Sequence, residues 1–179
     1  MLKDNLSNEL KHLKLPAMAD NLDLRAHQAE EGKLGYLEFT QLLVQDELAS
    51  RESNSFQKRL KVAGVSNRMT FETFDFEFNN AVLPAQTVRD LASCRFIDQH
   101  RNLVLAGPPG IGKSHIAHAV GHEAARRGLD VVVFKSHKLL ERLAPDPFSS
   151  KRSQLLMKRC INAGLLILDD FAFRLYSQQ

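Results

Sequence analysis

The stretch of this chain with the clearest chemistry is a glycine-rich octapeptide that ends in lysine and serine. It reads Gly107-Pro108-Pro109-Gly110-Ile111-Gly112-Lys113-Ser114 and fits the pattern G-x-x-x-x-G-K-[ST]. Glycines allow the backbone to curl so that several N–H groups face one point, and the N-terminus of a following helix adds positive potential there. This arrangement suits the triphosphate of ATP. An ordinary glycine-rich turn is the alternative interpretation.

The last two residues of the octapeptide have separate roles. Lys113 is long enough to reach the β- and γ-phosphates as a mobile point charge, and the Ser114 hydroxyl is suited to ligate the Mg²⁺ that bridges them. We therefore predict a site for ATP and Mg²⁺ at residues 107–115, which includes His115 directly after the loop. We also predict a catalytic role for Lys113.

Two adjacent acids follow an apolar run near the end of the sequence. Residues 165–168 read Leu-Leu-Ile-Leu and predict a buried strand, with Asp169 and Asp170 at its carboxyl end. Parallel sheets bind ligands at that edge. We expect Asp169 to hold the magnesium ion through water and Asp170 to act as general base toward the attacking water. The alternative is a strand that ends in solvated acids.

Histidines and phenylalanines form two further patterns. His115, His118 and His122 share one face of the helix predicted after the loop, but no carboxylate-rich partner is evident, so a zinc site is not favoured. Residues 74–78 alternate phenylalanine with acids, which is the period of an extended segment. Those rings either line an adenine pocket or pin a linker to the nucleotide-binding core.

The composition is that of an ordinary globular protein, with 44% hydrophobic and 25% charged residues and a net charge of +3. Residues 101–179 carry 12 basic and 6 acidic side chains, an excess that suits either a polyanion such as nucleotide or DNA, or a solvated helix surface. The two cysteines lie far apart and indicate neither a disulfide framework nor a zinc site. No apolar run approaches a membrane span and no signal-peptide block opens the chain, so we expect a soluble, cytoplasmic protein without membrane contact.

The order of the predicted elements divides the chain. Leucine spacing predicts helices in the first hundred residues, with breaks at Leu15-Pro16, between Gly32 and Gly35, and at Gly64, and with a helix from Pro84 to about residue 100. Strands at 103–106, 131–134 and 165–168 then alternate with helices at 113–127, 137–143 and 150–162. We predict an all-helical N-terminal domain (1–69), a linker (70–83) and an α/β domain (84–179) whose parallel sheet has helices on both faces.

Together these segments resemble the helper ATPases of insertion sequences, the IstB type, which are relatives of the DnaC helicase loader within the AAA+ superfamily. The resemblance spans nearly the whole chain and rests on these stretches: Leu13-Lys14-Leu15-Pro16-Ala17-Met18, Glu47-Leu48-Ala49-Ser50-Arg51-Glu52, Phe74-Asp75-Phe76, residues 107–115, Leu139-Leu140-Glu141-Arg142-Leu143 and residues 165–171. It implies a P-loop fold of the AAA+ type. It further implies a homo-oligomer with ATP between subunits that assembles on double-stranded DNA and acts with a transposase at target sites.

The sequence departs from that family pattern in two places. Asp170 stands where many ATPases have glutamate. In the family the chain also continues past the second acidic motif, with a strand placed between those ending at residues 106 and 168 and with an arginine supplied to a neighbouring subunit. We therefore expect an incomplete sheet core and a truncated ATPase domain that binds ATP with little hydrolysis of its own. A DnaC-like helicase loader and an inactive remnant are the alternative functions, and the long helical N-terminal part disfavours a small-molecule kinase.

Overall fold

Breaks in the leucine pattern set the ends of the first three helices. The computed structural model describes residues 2–75, 84–143 and 150–171 and begins with α1 (Leu2–His12), α2 (Pro16–Gly32) and α3 (Tyr36–Ala63). Proline occupies the first position of α2, where its missing N–H costs no hydrogen bond. Lys33, not a glycine, adopts the left-handed conformation that ends α2, at φ 50°, and Gly64 follows α3 at φ 75°. The predicted helices and breaks are confirmed here.

A carboxylate from α3 caps the N-terminus of α2. Glu47 Oε2 accepts hydrogen bonds from the backbone N–H groups of Ala17 at 2.9 Å and Met18 at 3.4 Å. Its Oε1 pairs with Arg51 at 2.8 Å, and Arg51 donates to the Lys14 carbonyl at 2.8 Å. The two N-terminal stretches that carry the family resemblance therefore form one hydrogen-bonded network.

The chain separates into two compact units, residues 1–55 and 56–179, and the boundary falls within α3. The domain limits expected from the sequence, at residues 69 and 83, stay predictions. Across the described residues, no helix is both long enough and apolar enough to cross a membrane.

The second unit contains a small parallel sheet and most of the shorter helices. Its elements are α4 (Ala85–Ala92), α5 (Arg95–Asp98), α6 (Lys113–Arg126), β1 (Val131–Lys135), α7 (Ser136–Leu143), α8 (Lys151–Ile161) and β2 (Leu165–Asp169). The two strands run parallel, in register from Val131 opposite Leu165 to Lys135 opposite Asp169. The α/β class, these two strands and the three helices from α6 onward are confirmed.

Residues 103–106 were expected to form a third strand, and that prediction is wrong. The segment has no regular secondary structure, and the sheet of the described residues contains only β1 and β2. A strand is defined by the neighbour that shares its hydrogen bonds. Within the part of the chain that the structure describes, nothing pairs with this segment, and the Val104 side chain remains 83% exposed.

One further local expectation is corrected. The helix expected from Pro84 to residue 100 is broken into α4 and α5, because Cys94 adopts the left-handed conformation at φ 49° and its buried side chain packs in the core. Residues 71–73 form a bend and a turn, and residues 74 and 75, the described part of the stretch expected to be extended, have no regular secondary structure. The Thr73 hydroxyl bonds with the backbone of Arg68 and Thr70 and folds the chain locally. The rest of the expected extended stretch lies outside the described residues.

Helix α6 is the centre of the second unit. Two apolar clusters meet its faces, and Ala119, Ala124 and Ala125 are fully buried. One cluster consists of Leu60, Ala63, Val65, Ala124, Ala125, Val131 and Ile167, and the other of Phe74, Val88, Cys94, Ile116 and Val120. Because α6 is packed on several sides, its N-terminal residues are held in place relative to β2.

Candidate functional site

The glycine loop leads directly into α6. Gly110 and Gly112 have φ values of 85° and 89°, in the left-handed region that glycine adopts without strain, and Gly112 is the N-cap of the helix. At Gly107 an added Cβ would lie 2.4 Å from Ile111 Cδ1. The glycines of the motif are therefore required by the conformation of the loop itself.

The ammonium group of Lys113 lies against this loop. It donates hydrogen bonds to the carbonyl oxygens of Gly107 at 2.9 Å and Pro108 at 2.7 Å. A polyphosphate bound in the loop would offer this cation charged oxygens in place of neutral carbonyls, and charge-assisted hydrogen bonds are the stronger kind. The geometry fits the predicted role of Lys113 as a phosphate counter-charge.

Ser114 joins the loop to the acidic end of β2. Its Oγ donates to Asp169 Oδ1 at 3.0 Å, although the two residues are 55 positions apart. Hydroxyl and carboxylate oxygens are the hard ligands that Mg²⁺ prefers, and here one of each lies within hydrogen-bond distance of the other. The residues present fit a magnesium ion, which Ser114 and Asp169 would hold.

Asp170 forms an ion pair with Lys135. Its Oδ2 lies 2.7 Å from Lys135 Nζ, and its own backbone N–H donates to Asp169 Oδ1 at 2.9 Å. The Lys135 hydrogen bond lowers the pKa of Asp170 below its ordinary value, with smaller contributions from the charges of Lys135 and His137. Asp170 has φ 53°, a conformation that non-glycine residues seldom adopt. Among the described residues no hydrogen bond joins it to the glycine loop.

The junction of β1 and α7 supplies site residues that the sequence analysis missed. Lys135 pairs with Asp170, and the buried Ser136 donates its hydroxyl to the Asp169 carbonyl at 3.0 Å. Lys135 is the last residue of β1 and Ser136 follows it, so their position at the carboxyl end of a predicted strand was the available signal. This position points to Asp169 and Asp170 only once β1 is known to pair with β2.

The three histidines of α6 each have a different protein neighbour. His115 Nε2 lies 2.8 Å from the Thr70 carbonyl, and His118 Nδ1 accepts the Ser66 backbone N–H at 3.2 Å. The His122 ring is edge-on to that of Phe56 at 5.1 Å. The described residues contain no group of three or more histidine, cysteine or acidic side chains placed to hold a metal ion. His115 lies against Thr70, and its predicted contact with nucleotide stays a prediction.

Burial governs the protonation of two of these histidines. It lowers the pKa of His118, against an opposing contribution from Asp169. It also lowers the pKa of His122, whose buried Nδ1 has no hydrogen-bond partner among the described residues. The neutral ring is the form that can accept the Ser66 N–H at Nδ1. The hydrogen bond between α6 and the Ser66 backbone therefore depends on an uncharged His118.

Phe74 belongs to the core. It is buried with Val88 and Ile116 and stacks edge-on against the His115 ring at 5.3 Å between centroids. The sequence left two roles open for these rings, an adenine pocket or attachment of the linker to the core, and Phe74 has the second role. Phe76 and Phe78 lie outside the described residues.

A glycine loop that opens a helix, with the helix serine bonded to an acidic tip of a parallel strand, defines the P-loop class of α/β proteins. The model of the family described as IstB-like ATP binding protein matches residues 8–179. The chain belongs to this family.

Individual relatives support the same family assignment. One is named as an ATP-binding protein in an insertion sequence of Mycobacterium tuberculosis; it is 43% identical over 169 residues, which cover 94% of this chain and 66% of the relative. The ATP-binding proteins of insertion sequence IS5376 from Geobacillus stearothermophilus and IS232 from Bacillus thuringiensis are each 30% identical, over 96% and 94% of this chain and 68% and 66% of their own lengths. The chain thus spans about two thirds of the length of these relatives.

Proposed function

We propose that this chain is an ATP-binding helper protein of DNA transposition. It binds ATP with Mg²⁺ at residues 107–115 and assembles as a cytoplasmic homo-oligomer, with ATP between subunits, on double-stranded DNA. There it acts with a transposase at target sites. The observation that carries the ATP site is the hydrogen bond from Ser114 to Asp169, which joins the glycine loop to the acidic strand tip. The transposition role is supported by relatives that are named for insertion sequences.

Each site residue has a task in this proposal. Loop amides and the N-terminus of α6 cradle the phosphates, and Lys113 exchanges its two carbonyl acceptors for phosphate oxygens. Ser114 and Asp169 hold the magnesium ion, which when bound neutralises phosphate charge. Asp170, kept ionised by Lys135, is the group able to accept a proton from water. ATP hydrolysis would then follow where a neighbouring subunit completes the site.

Two other functions would use the same nucleotide site. A helicase loader would dock on a replicative helicase, and an inactive remnant would bind ATP without acting on DNA. The basic excess of residues 101–179 favours a protein that works on a polyanion. A transposase reading frame beside the gene would favour the helper function, and its absence in several independent copies would favour the loader.

The ATP site is tested by Lys113→Ala. Removing the ammonium deletes the mobile counter-charge, so we expect ATP affinity measured by titration calorimetry to fall by about 100-fold. Thermal unfolding without nucleotide should be little changed, since the side chain contacts only loop carbonyls in the described structure. Equal affinity in the two proteins would refute the site.

The DNA role is tested separately by fluorescence anisotropy with a labelled duplex of random sequence. We expect binding to the duplex to increase with MgATP and to weaken as salt is raised, because phosphate contacts release counterions. The Lys113→Ala protein should lose the ATP-dependent increase. Binding that is independent of ATP, or no binding to DNA while ATP is bound normally, would contradict the helper proposal.

A further inference from the structure

We infer that Lys135 and Ser136, at the junction of β1 and α7, are positioning residues for the acidic pair. Ser136 fixes Asp169 for the magnesium ion, and Lys135 cancels the charge of Asp170 beside the phosphates. The inference rests on the proposed ATP site and adds to it the last residue of β1 and the first residue of α7.

Ser136 holds the backbone of the acidic turn. Its side chain is only 3% exposed, and its Oγ donates to the Asp169 carbonyl at 3.0 Å. The Asp169 carboxylate is held at the same time, because Oδ1 accepts from Ser114 Oγ and from the Asp170 N–H. Backbone and side chain of Asp169 are therefore anchored from three directions, as expected for a ligand that must keep its place when a metal ion arrives.

Lys135 acts on the second acid. The parallel register places Lys135 directly opposite Asp169, and this brings its ammonium to within 2.7 Å of Asp170 Oδ2. The hydrogen-bond donors that face Asp169 are neutral, whereas the donor that faces Asp170 is a cation. Lys135 thus leaves one uncompensated negative charge at the tip of β2 instead of two.

The number of uncompensated charges at the tip of β2 matters because the ligand is itself an anion. Two bare carboxylates at the tip of β2 would repel a triphosphate, and they would repel it more than a diphosphate, which carries less charge and lacks the γ-phosphate. Lys135 should therefore favour ATP over ADP. Ser136 should affect mainly the part of the affinity that depends on Mg²⁺.

Ser136→Ala tests the first residue in the full chain. ATP affinity is measured by titration calorimetry with excess Mg²⁺ and again with EDTA. We expect the Mg²⁺-dependent gain in affinity to fall about tenfold, the usual effect of losing an outer hydrogen-bond partner of a metal ligand. The affinity with EDTA should be unchanged, which also shows that the loop is folded. An unchanged Mg²⁺-dependent gain would overturn the role of Ser136.

Lys135→Met tests the second residue at a position where folding is not at risk, since 53% of the lysine side chain is exposed. We expect ATP affinity to fall about fivefold relative to ADP affinity, the effect of one added charge at partly solvated distance. Lys135→Arg should restore the preference because it keeps the cation. Lys138→Met is the matched control, because it removes a charge from α7 that makes no hydrogen bond or ion pair with the acidic pair in the described structure. An equal loss in the Lys138 and Lys135 variants, or none in either, would overturn the role of Lys135.

Two outcomes distinguish a failure of the ATP site from a failure of the roles of Lys135 and Ser136. If the unmodified chain binds no ATP, the proposed ATP site and this inference both fall. If it binds MgATP normally and all four variants match it, the ATP site stands and the inference alone is wrong.

Discussion

The hydroxyl of Ser114 donates a hydrogen bond to the carboxylate of Asp169 at 3.0 Å and joins the start of α6 to the end of β2. This hydrogen bond connects the glycine loop motif to the acidic motif. Each motif had a separate explanation in the sequence, as a turn or as a solvated strand end. Their direct contact favours a single phosphate and metal site.

Ser114→Ala should remove a magnesium ligand while leaving the loop in place. We expect MgATP affinity to fall about tenfold, because the hydroxyl bonds to charged partners. Ser114→Thr keeps the hydroxyl and should bind as the unmodified chain does. Titration calorimetry of the three proteins decides the outcome, and an alanine variant with full Mg²⁺-dependent affinity would rule out Ser114 as a ligand.

Acidification should weaken the fold through the histidines of α6. Burial lowers the pKa of His118 below its ordinary value of 6.5, so the unfolded chain binds the proton more readily than the folded one. Stability from this residue is complete above pH 6.5 and is lost as the pH falls through the lower pKa of the folded state. His122 acts in the same direction.

Thermal unfolding is measured at a series of pH values from about 7.5 to about 5, the range in which histidine titrates. His118→Asn offers the Ser66 N–H a side-chain oxygen but cannot titrate. We expect a shallower fall in melting temperature for this variant, with the remainder due to His122. Identical slopes for the two proteins would show that His118 is not the source.

Glu47 should be more important to the N-terminal helices than its neighbours on α3. Glu47→Ala removes the cap of α2 and leaves Arg51 without its carboxylate, so we expect a clear drop in melting temperature and in helical circular dichroism. Glu47→Gln keeps an acceptor oxygen, so its melting temperature should lie between those of Glu47→Ala and the unmodified chain. Glu52→Ala, an exposed position on the same helix, is the control, and equal effects at the two positions would exclude the capping role.

Gly121 of α6 faces side chains of both strands of the sheet, Val131 and Ile167. A Cβ at this position would lie 2.8 Å from Ile167 Cδ1 and 3.2 Å from Val65 Cγ2. Gly121→Val should reduce the free energy of unfolding by about 1–3 kcal/mol through overpacking. Gly121→Ala should be milder, because one methyl group displaces only a flexible chain end and alanine favours the helix. Urea unfolding of both variants tests this, and a valine variant of full stability would contradict it.

Local chemistry explains which features could be predicted. Gly107, Gly110 and Gly112 are needed by their own backbone conformations, so the loop is legible in the sequence alone. Pro16 and Gly64 likewise mark a helix start and a helix end through local sterics. The acids after residues 165–168 could be recognised because a buried apolar strand ends where parallel sheets bind ligands.

Non-local chemistry explains which features could not. Residues 103–106 have the composition of a strand, but the described residues supply no neighbour for its hydrogen bonds. Cys94 breaks a helix that its own sequence would continue, because its buried side chain belongs to the second apolar cluster. Lys135 was seen only as one of many basic residues until the register of β1 and β2 placed it beside Asp170.

The sequence by itself determined the identity of the phosphate loop, the helix that follows it and the acids that accompany it, since each depends on residue types at short spacing. Only the tertiary structure decided that Ser114 bonds to Asp169 and that Glu47 caps a helix from another part of the chain. It also decided that Lys135 and Ser136 form hydrogen bonds with the acidic pair. The physical reason is that hydrogen bonds and ion pairs act over a few ångströms. Which side chains come that close depends on strand register and helix packing, and these arise from the chain as a whole.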